Sequence, residues 1–103
     1  MLDLCVLSLL HRGDRYGYDV SEALSRRIEI ADGTVYPILR KLKNEGLVTA
    51  YLSEDSGGPP RKYYSLTSTG RAEYRRRRAE WLAFARAVDD MIRVDDEQGG
   101  VSR

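Results

Sequence analysis

The sequence is short of the residues that build disulfides, metal centres and catalytic groups. Cys5 is the only cysteine, so the chain has no internal disulfide framework and no cysteine-based metal cluster. His11 is the only histidine, which leaves no second histidine or cysteine for a zinc site, a Ser-His-Asp triad or a Cys-His pair. We therefore expect no metal, no cofactor and no enzymatic activity, and a reducing, cytoplasmic location.

Long apolar runs are also absent. The first ten residues are mostly apolar but include Asp3, and they are too short to span a membrane. They also lack the basic start and the cleavage pattern of a signal peptide, so we expect no membrane partner. With 103 residues, 42% of them hydrophobic, the chain fits one small domain that is marginal as a lone monomer.

Net charge is low, at +1, but it is unevenly distributed. Residues 1–32 carry −2 and residues 95–103 carry −2, whereas residues 33–66 carry +2 and residues 67–94 carry +3. The positive charge therefore lies in the middle of the chain and in the segment after it. Because a local field can steer a protein toward phosphate, the low total charge does not exclude nucleic-acid binding.

The middle of the chain predicts a basic helix followed by a β-hairpin. Over residues 34–45, apolar side chains recur on one helical face, with Gly46 suited to the left-handed position that ends the helix. Two strands are predicted at residues 47–54 and 61–67, separated by a loop with two glycines and two prolines. The helix residues assigned to the core are Val35, Ile38, Leu39 and Leu42.

A basic helix leading into a hairpin is the layout of a winged helix, in which the helix enters a major groove and the hairpin contacts neighbouring backbone. The predicted fold class is mainly α with a small β-hairpin: a winged helix-turn-helix followed by one long C-terminal helix. The predicted domains are residues 1–66 for DNA binding, 67–94 for dimerisation and 95–103 as a flexible tail. The remaining predicted elements are a mostly buried helix over the first ten residues, a helix over 16–27 and a short strand over 29–31.

Four ordered motifs resemble those of the PadR-like transcriptional regulators. The stretch GTVYPIL at residues 33–39 resembles the start of that family's recognition helix, NEGLV at 44–48 its exit, and GGPPRKYYSLT at 57–67 its wing. YGYDV at 16–20 is similar to a fourth motif, with Tyr16 where histidine is usual. Where the family often has Ser-Pro, this chain has Ala31-Asp32, so Asp32 is expected to cap the helix. Pro37, placed in the second turn, is expected to remove one backbone hydrogen bond.

Predicted DNA contacts combine charge, position and this resemblance. The resemblance implies that Thr34 and Tyr36 lie near DNA, while long basic side chains suit phosphates or guanine edges. For Tyr16 and Tyr18, core packing and phosphate contact both remain open. The predicted DNA-binding residues are Tyr18, Thr34, Tyr36, Arg40, Lys41, Lys43, Arg61 and Lys62. At least one of Tyr63 and Tyr64 is expected to pack on the sheet, because successive strand residues face opposite ways.

The last predicted helix carries an apolar seam two heptads long, in which Tyr74, Trp81 and Val88 recur every seven residues. Such a seam beyond a complete winged helix favours packing on a second subunit. The resemblance implies the same, since short members of the family dimerise through one C-terminal helix. The predicted dimer-interface residues are Leu2, Val6, Leu9, Tyr74, Trp81, Ala85, Val88 and Ile92. The four consecutive arginines at 75–78 allow two interpretations: they form a solvated helix face, or they make extra phosphate contacts.

These features predict a homodimeric transcriptional regulator, a repressor, that binds a pseudo-palindromic operator in double-stranded DNA. The resemblance implies a small aromatic effector at Trp81 and Phe84. The alternative is that Trp81 only anchors the subunit interface, where tryptophan is enriched. The competing function is a winged helix that binds only protein and tolerates the loss of its basic residues.

Overall fold

The computed structural model describes residues 1–54 and 57–98. Within them, four helices surround a three-stranded antiparallel sheet of strand order β1-β3-β2. The elements are α1 (Leu2–His11), β1 (Arg15–Tyr16), α2 (Gly17–Ser25), α3 (Val35–Asn44), β2 (Val48–Ser53), β3 (Arg61–Leu66) and α4 (Ser68–Gln98). This is a winged helix-turn-helix with a long C-terminal helix, as the sequence predicts.

One hydrophobic core lies between the first three helices and the inner face of the sheet. Of the apolar face predicted for α3, Val35, Leu39 and Leu42 are buried there and Ile38 is half-buried against them. Helix α1 inserts three side chains beside this face. The core residues are Val6, Leu7, Leu10, Val20, Leu24, Val35, Leu39, Leu42, Leu47, Val48 and Leu66. Val6 has no exposed surface in the protomer. The prediction that Val6 contacts a second subunit is therefore wrong, since α1 turns this side chain into its own domain.

Both ends of α3 have a clear local cause. Gly46 has φ +78° and ends the helix, with Leu47 N–H donating to the carbonyl of Leu42 and Gly46 N–H to that of Lys43. At the other end, Thr34 occupies the N-cap position without a side-chain cap bond, so the predicted role of Asp32 as cap is wrong. Pro37 lies in the first turn, where its missing N–H has no helical partner to lose.

The third strand of the sheet is not where the sequence analysis predicted it. β1 is the two-residue segment Arg15–Tyr16, which pairs with β3 and runs directly into α2. Residues 29–31, predicted as a strand, have no regular structure. The central strand β3 sets Tyr63 opposite both Tyr16 and Tyr51.

Helix α4 is fixed to the end of α3 at its first turn. Thr67 is its N-cap: the Thr67 hydroxyl accepts from Gly70 N–H at 2.9 Å and donates to the carbonyl of Gly46 at 2.8 Å. The helix was predicted to end near Val94 but reaches Gln98, so the first part of the predicted tail is helical. The rest of that tail, residues 99–103, lies outside the described residues.

Candidate nucleic-acid interface

The exposed side of α3 carries three of the predicted DNA-contacting side chains in one row. Tyr36, Arg40 and Lys43 are spaced four and three residues apart, so they lie on one side of the helix. All three are exposed. Among the described residues neither Arg40 nor Lys43 forms an ion pair, so both charges are available to an external anion. Thr34 is half-buried at the N-cap of α3, outside this row.

Lys41 lies apart from that row and is already engaged. Its ammonium group donates to Asp3 Oδ2 of α1 at 2.7 Å, and this hydrogen bond raises the pKa of Lys41. The side chain also lines a cleft that includes Trp81 and Phe84 of α4. The structure therefore separates Lys41 from the other predicted DNA contacts and connects it to the C-terminal helix.

The start of α2 lies against the start of α3, as in a helix-turn-helix. A Cβ added at Gly17 would come 2.8 Å from Tyr36 Cε1, so a larger residue there would displace the Tyr36 ring. Tyr18, one position further, is 56% exposed, and its hydroxyl donates to Glu22 Oε2 at 3.2 Å. The charge of Glu22 raises the pKa of Tyr18 and keeps the phenol protonated.

The hairpin β2–β3, which we call the wing, presents two exposed basic residues. The Arg61 guanidinium carbon lies 4.7 Å from the centroid of the Tyr16 ring, a cation–π contact, and Lys62, the next residue of β3, is also exposed. Further along β3, Tyr64 packs against the core whereas Tyr63 lies on the outer face of the sheet. The tip of the wing includes residues 55 and 56, which lie outside the described part of the chain.

The arginine run on α4 divides into two kinds of residue. Arg76 pairs with Glu73 and Glu80 at 2.6 Å each, and Arg77 pairs with Glu73 at 2.7 Å. Hydrogen bonds from Arg76 and Arg77 lower the pKa of Glu73 to about 2. These two arginines therefore belong to an ion-paired helix surface. Arg75 and Arg78 form no ion pair within residues 1–54 and 57–98.

The second half of α4 exposes an apolar face. Val88 is 38% exposed, Ile92 55% and Met91 71%, all on a helix that contacts its own domain through α1 and β3. Trp81 and Phe84 lie on the same face with ring centroids 6.0 Å apart. Of the other predicted interface residues, Ala85 is half-buried, Leu2 and Leu9 pack against the core, and Tyr74 contacts His11 with centroids 4.7 Å apart.

The described residues hold no group of three or more His, Cys, Asp or Glu side chains that could bind a metal ion. Nor does any helix among them combine the length and apolar character needed to cross a membrane.

A helix-turn-helix whose second helix exposes tyrosine and basic side chains beside a basic wing defines a DNA-binding module. Comparison with known proteins gives the family. The family model described as the transcriptional regulator PadR-like family matches residues 6–76, and the chain belongs to that family. Its members are DNA-binding transcriptional regulators rather than enzymes, and this protein is one of them.

Proteins from several bacteria are similar to this chain in sequence, and solved structures are similar to it in fold. An uncharacterized protein of Lysinibacillus sphaericus is 34% identical over 92 residues, covering 85% of this chain and 84% of that protein. The negative transcriptional regulator PadR of Bacillus subtilis is 27% identical over 97 residues, covering 90% of this chain but 51% of that protein. The crystal structure of a PadR-like transcriptional regulator from Bacillus cereus has a TM-score of 0.82 and 28% identity, covering 88% of this chain and 90% of that chain.

Sequence reasoning missed two features of this surface. It did not connect Asp3 with Lys41, because the contact joins residues 38 positions apart. It also did not connect Tyr16, Tyr51 and Tyr63, which lie on three different strands and meet only in the observed register. The alternation within each strand could have indicated this cluster, because Tyr51 and Tyr63 lie on the face of the sheet opposite to the buried side chains.

Proposed function

We propose that this protein is a homodimeric repressor that binds a pseudo-palindromic operator and leaves it when a small aromatic compound binds. The observation that carries the proposal is the row of Tyr36, Arg40 and Lys43 on the open side of α3. A helix fits the major groove, where arginine and lysine bind guanine edges and phosphates. The wing then reaches the neighbouring backbone through Arg61 and Lys62.

Dimerisation is supported by the apolar surface of α4 that the rest of the protomer leaves exposed. At 1.5 Å per residue, its 31 residues span roughly 46 Å, well beyond the domain that its first turns contact. The uncovered half carries the apolar side chains of Val88, Met91 and Ile92 together with Asp89 and Asp90. A second copy offers a matching surface, because an apolar groove lies between α1, α2 and α4. Leu9 and Leu24 line this groove, together with Arg12, Arg27 and Arg78.

Two recognition helices related by a two-fold axis read two half-sites, with centres about one helical turn, roughly 10 bp, apart. Negative control of transcription is our inference from the Bacillus subtilis relative, whose name describes a negative regulator. An operator-bound dimer of this kind acts where the chromosome is, in the cytoplasm.

The proposed effector site is the cleft around Trp81. Its ring pairs with Phe84, and a planar compound stacked there would also meet Lys41 of α3 and Asp3 of α1. A ligand in this cleft therefore contacts the recognition helix directly, which gives a physical route from the compound to DNA affinity. The alternative role for Trp81 is that of an interface anchor.

The DNA-binding step is tested by a gel shift of the purified chain against the DNA upstream of its own coding region. We expect a complex that survives an excess of unrelated duplex and weakens steeply as salt rises. Failure to bind any duplex at low salt would reject DNA binding and favour the protein-only winged helix.

Replacing Arg61 and Lys62 with alanine is expected to flatten the salt dependence of operator binding. Each phosphate contact contributes about one unit to the slope of log K against log salt, so the double variant should lose about one to two units. The control is Arg26→Ala with Arg86→Ala, which removes the same charge from the C-cap of α2 and from α4. If both variants have the wild-type slope, the wing does not contact phosphate.

A planar aromatic dye is expected to quench the indole fluorescence of Trp81 and to release the operator over the same concentration range. Trp81→Ala should weaken dye binding about tenfold, because it removes a stacking surface, while Trp81→Phe should retain most of it. The dye's own fluorescence provides the binding curve for both variants. Quenching that leaves operator binding unchanged would make Trp81 an interface anchor.

A further inference from the structure

The outer face of the sheet carries a line of four aromatic rings, which we call the tyrosine row: Tyr18, Tyr16, Tyr63 and Tyr51. Their successive ring centroids are 6.3, 5.7 and 5.7 Å apart. The strand register produces the row, because Tyr63 lies directly opposite Tyr16 on one side and Tyr51 on the other. The row therefore runs from the start of α2, across β1 and β3, to β2.

The four hydroxyl groups are not equivalent. The two at the ends of the row donate to carboxylates, Tyr18 to Glu22 at 3.2 Å and Tyr51 to Asp14 at 2.6 Å. Within the described residues, the hydroxyls of Tyr16 and Tyr63 have no hydrogen-bond partner. No buried side-chain nitrogen or oxygen in this part of the chain is unsatisfied, so these two hydroxyls reach solvent. The middle of the row thus presents two free donors.

A cation lies at the same place. The guanidinium group of Arg61 sits 4.7 Å from the centroid of the Tyr16 ring, and within the described residues it forms no ion pair. One positive charge and two neutral O–H donors form a group suited to a phosphate oxygen, which accepts strong charge-assisted hydrogen bonds. Asp14 and Glu22 flank this group, so repulsion from either carboxylate would confine an anion to the middle of the row.

The position of the row indicates which phosphate it meets. One end begins at the start of α2, where Gly17 contacts Tyr36 of the recognition helix. The other end lies on the wing. β1 lies at the edge of the sheet beside β3 of the wing and continues directly into α2, so the row joins the helix-turn-helix to the wing.

We propose that Tyr16, Tyr63 and Arg61 form a phosphate-contact site that holds the DNA backbone between the recognition helix and the wing. The site rests on the proposed DNA binding and adds two neutral donors to the charged contacts. Phosphate contacts fix the position of a protein on the duplex and carry no sequence information. The two tyrosines therefore contribute to affinity for every sequence. Because a phenol displaces no counterion, their contribution does not depend on salt.

Replacing each hydroxyl by hydrogen tests the proposal, because Tyr16→Phe and Tyr63→Phe keep the rings and their stacking. Binding is measured by fluorescence anisotropy on two labelled duplexes of about 30 bp, enough for two half-sites. One duplex carries the upstream fragment and the other an unrelated sequence. Each variant is expected to bind about five- to tenfold more weakly, by the same factor on both duplexes, with an unchanged salt slope. Arg61→Ala should instead lower the slope by about one unit.

Tyr51→Phe is the matched control, since its ring stacks in the same row but its hydroxyl donates to Asp14. It should bind DNA as the wild type does, and circular dichroism should give the same spectrum for all three Phe variants. If Tyr16→Phe, Tyr63→Phe and the double variant all bind DNA as tightly as the wild type, this site is wrong and the proposed function is unaffected. A wild-type chain that binds neither duplex at low salt overturns the proposed function and this site together.

Discussion

Gly70→Ala is expected to cause the largest loss of stability of any single methyl group added to this chain. Gly70 lies in the first turn of α4, directly against the backbone of Leu47, and an added Cβ would overlap the Leu47 carbonyl oxygen. The obstacle is backbone rather than the end of a flexible side chain, so either the helix or the α3–β2 junction must move. Overpacking of a tight contact costs about 1–3 kcal/mol, and we expect the upper end of that range.

Moving α4 away from Leu47 would also break hydrogen bonds that depend on this close approach of the two backbones. Thr67 caps α4 while its hydroxyl donates to Gly46, and its N–H donates to Leu47. Moving α4 away therefore weakens its cap, which contributes about 1 kcal/mol, as well as its packing. For a domain of this size, each kcal/mol changes Tm by about 4–8 °C, so we expect Tm to fall by roughly 10–20 °C.

Thermal unfolding followed by circular dichroism measures this effect. Gly58→Ala is the control, because an added Cβ there has nothing within 4 Å and the backbone has no positive φ. The control should unfold within about 2 °C of the wild type, as expected for a surface substitution. A Gly70→Ala protein that unfolded with the control would show that the junction accommodates a methyl group. In that case α4 would not be rigidly coupled to the recognition helix.

The sequence predicted the recognition helix well because the signals there are local. The apolar face that includes Val35, Leu39 and Leu42 is set by a 3.6-residue period, and Gly46 stops the helix through its own φ of +78°. The cap of α4 is equally local, since the Thr67 hydroxyl accepts from the N–H of Gly70 three residues further on. Each of these features depends on residues within one or two turns of each other.

The errors arise where contacts are distant in sequence. β1 has two residues and no periodicity of its own, so it exists only because β3 pairs with it. The contact of Lys41 with Asp3, 38 positions away, was likewise not predicted. Val6 is one of several apolar residues on α1, and the neighbouring sequence does not distinguish the side of the helix that faces the core from the side that faces outward. Sequence patterns on one element cannot supply these pairings.

Replacing Val88 and Ile92 with glutamate is expected to convert the protein to monomers. Both residues lie on the uncovered apolar face of α4, four positions apart. In a symmetric dimer, the two-fold axis places the Val88 and Ile92 side chains of both subunits in the same contact. The double variant would therefore place four carboxylates in one seam. Each must be desolvated next to like charges in an apolar contact.

Loss of the dimer should weaken operator binding far more than non-specific binding. A dimer engages its second half-site as an intramolecular step, and loss of that step reduces affinity by about 100-fold or more. A single winged helix retains its own phosphate contacts, so its affinity for unrelated DNA should change little. Sedimentation analysis gives the mass, and a gel shift with both DNAs gives the two affinities.

The matched control is Ala79→Glu with Ala83→Glu, which adds the same two charges at the same spacing on α4. Both alanines are exposed, and they lie on the opposite side of the helix from Val88 and Ile92. The control should remain a dimer with wild-type operator affinity, which would exclude an effect of added charge alone. If instead the Val88 and Ile92 variant remains a dimer, neither this face of α4 nor the groove proposed to receive it forms the subunit contact. If it is monomeric yet binds the operator with full affinity, then one recognition helix and one wing suffice, and the two-fold operator is wrong.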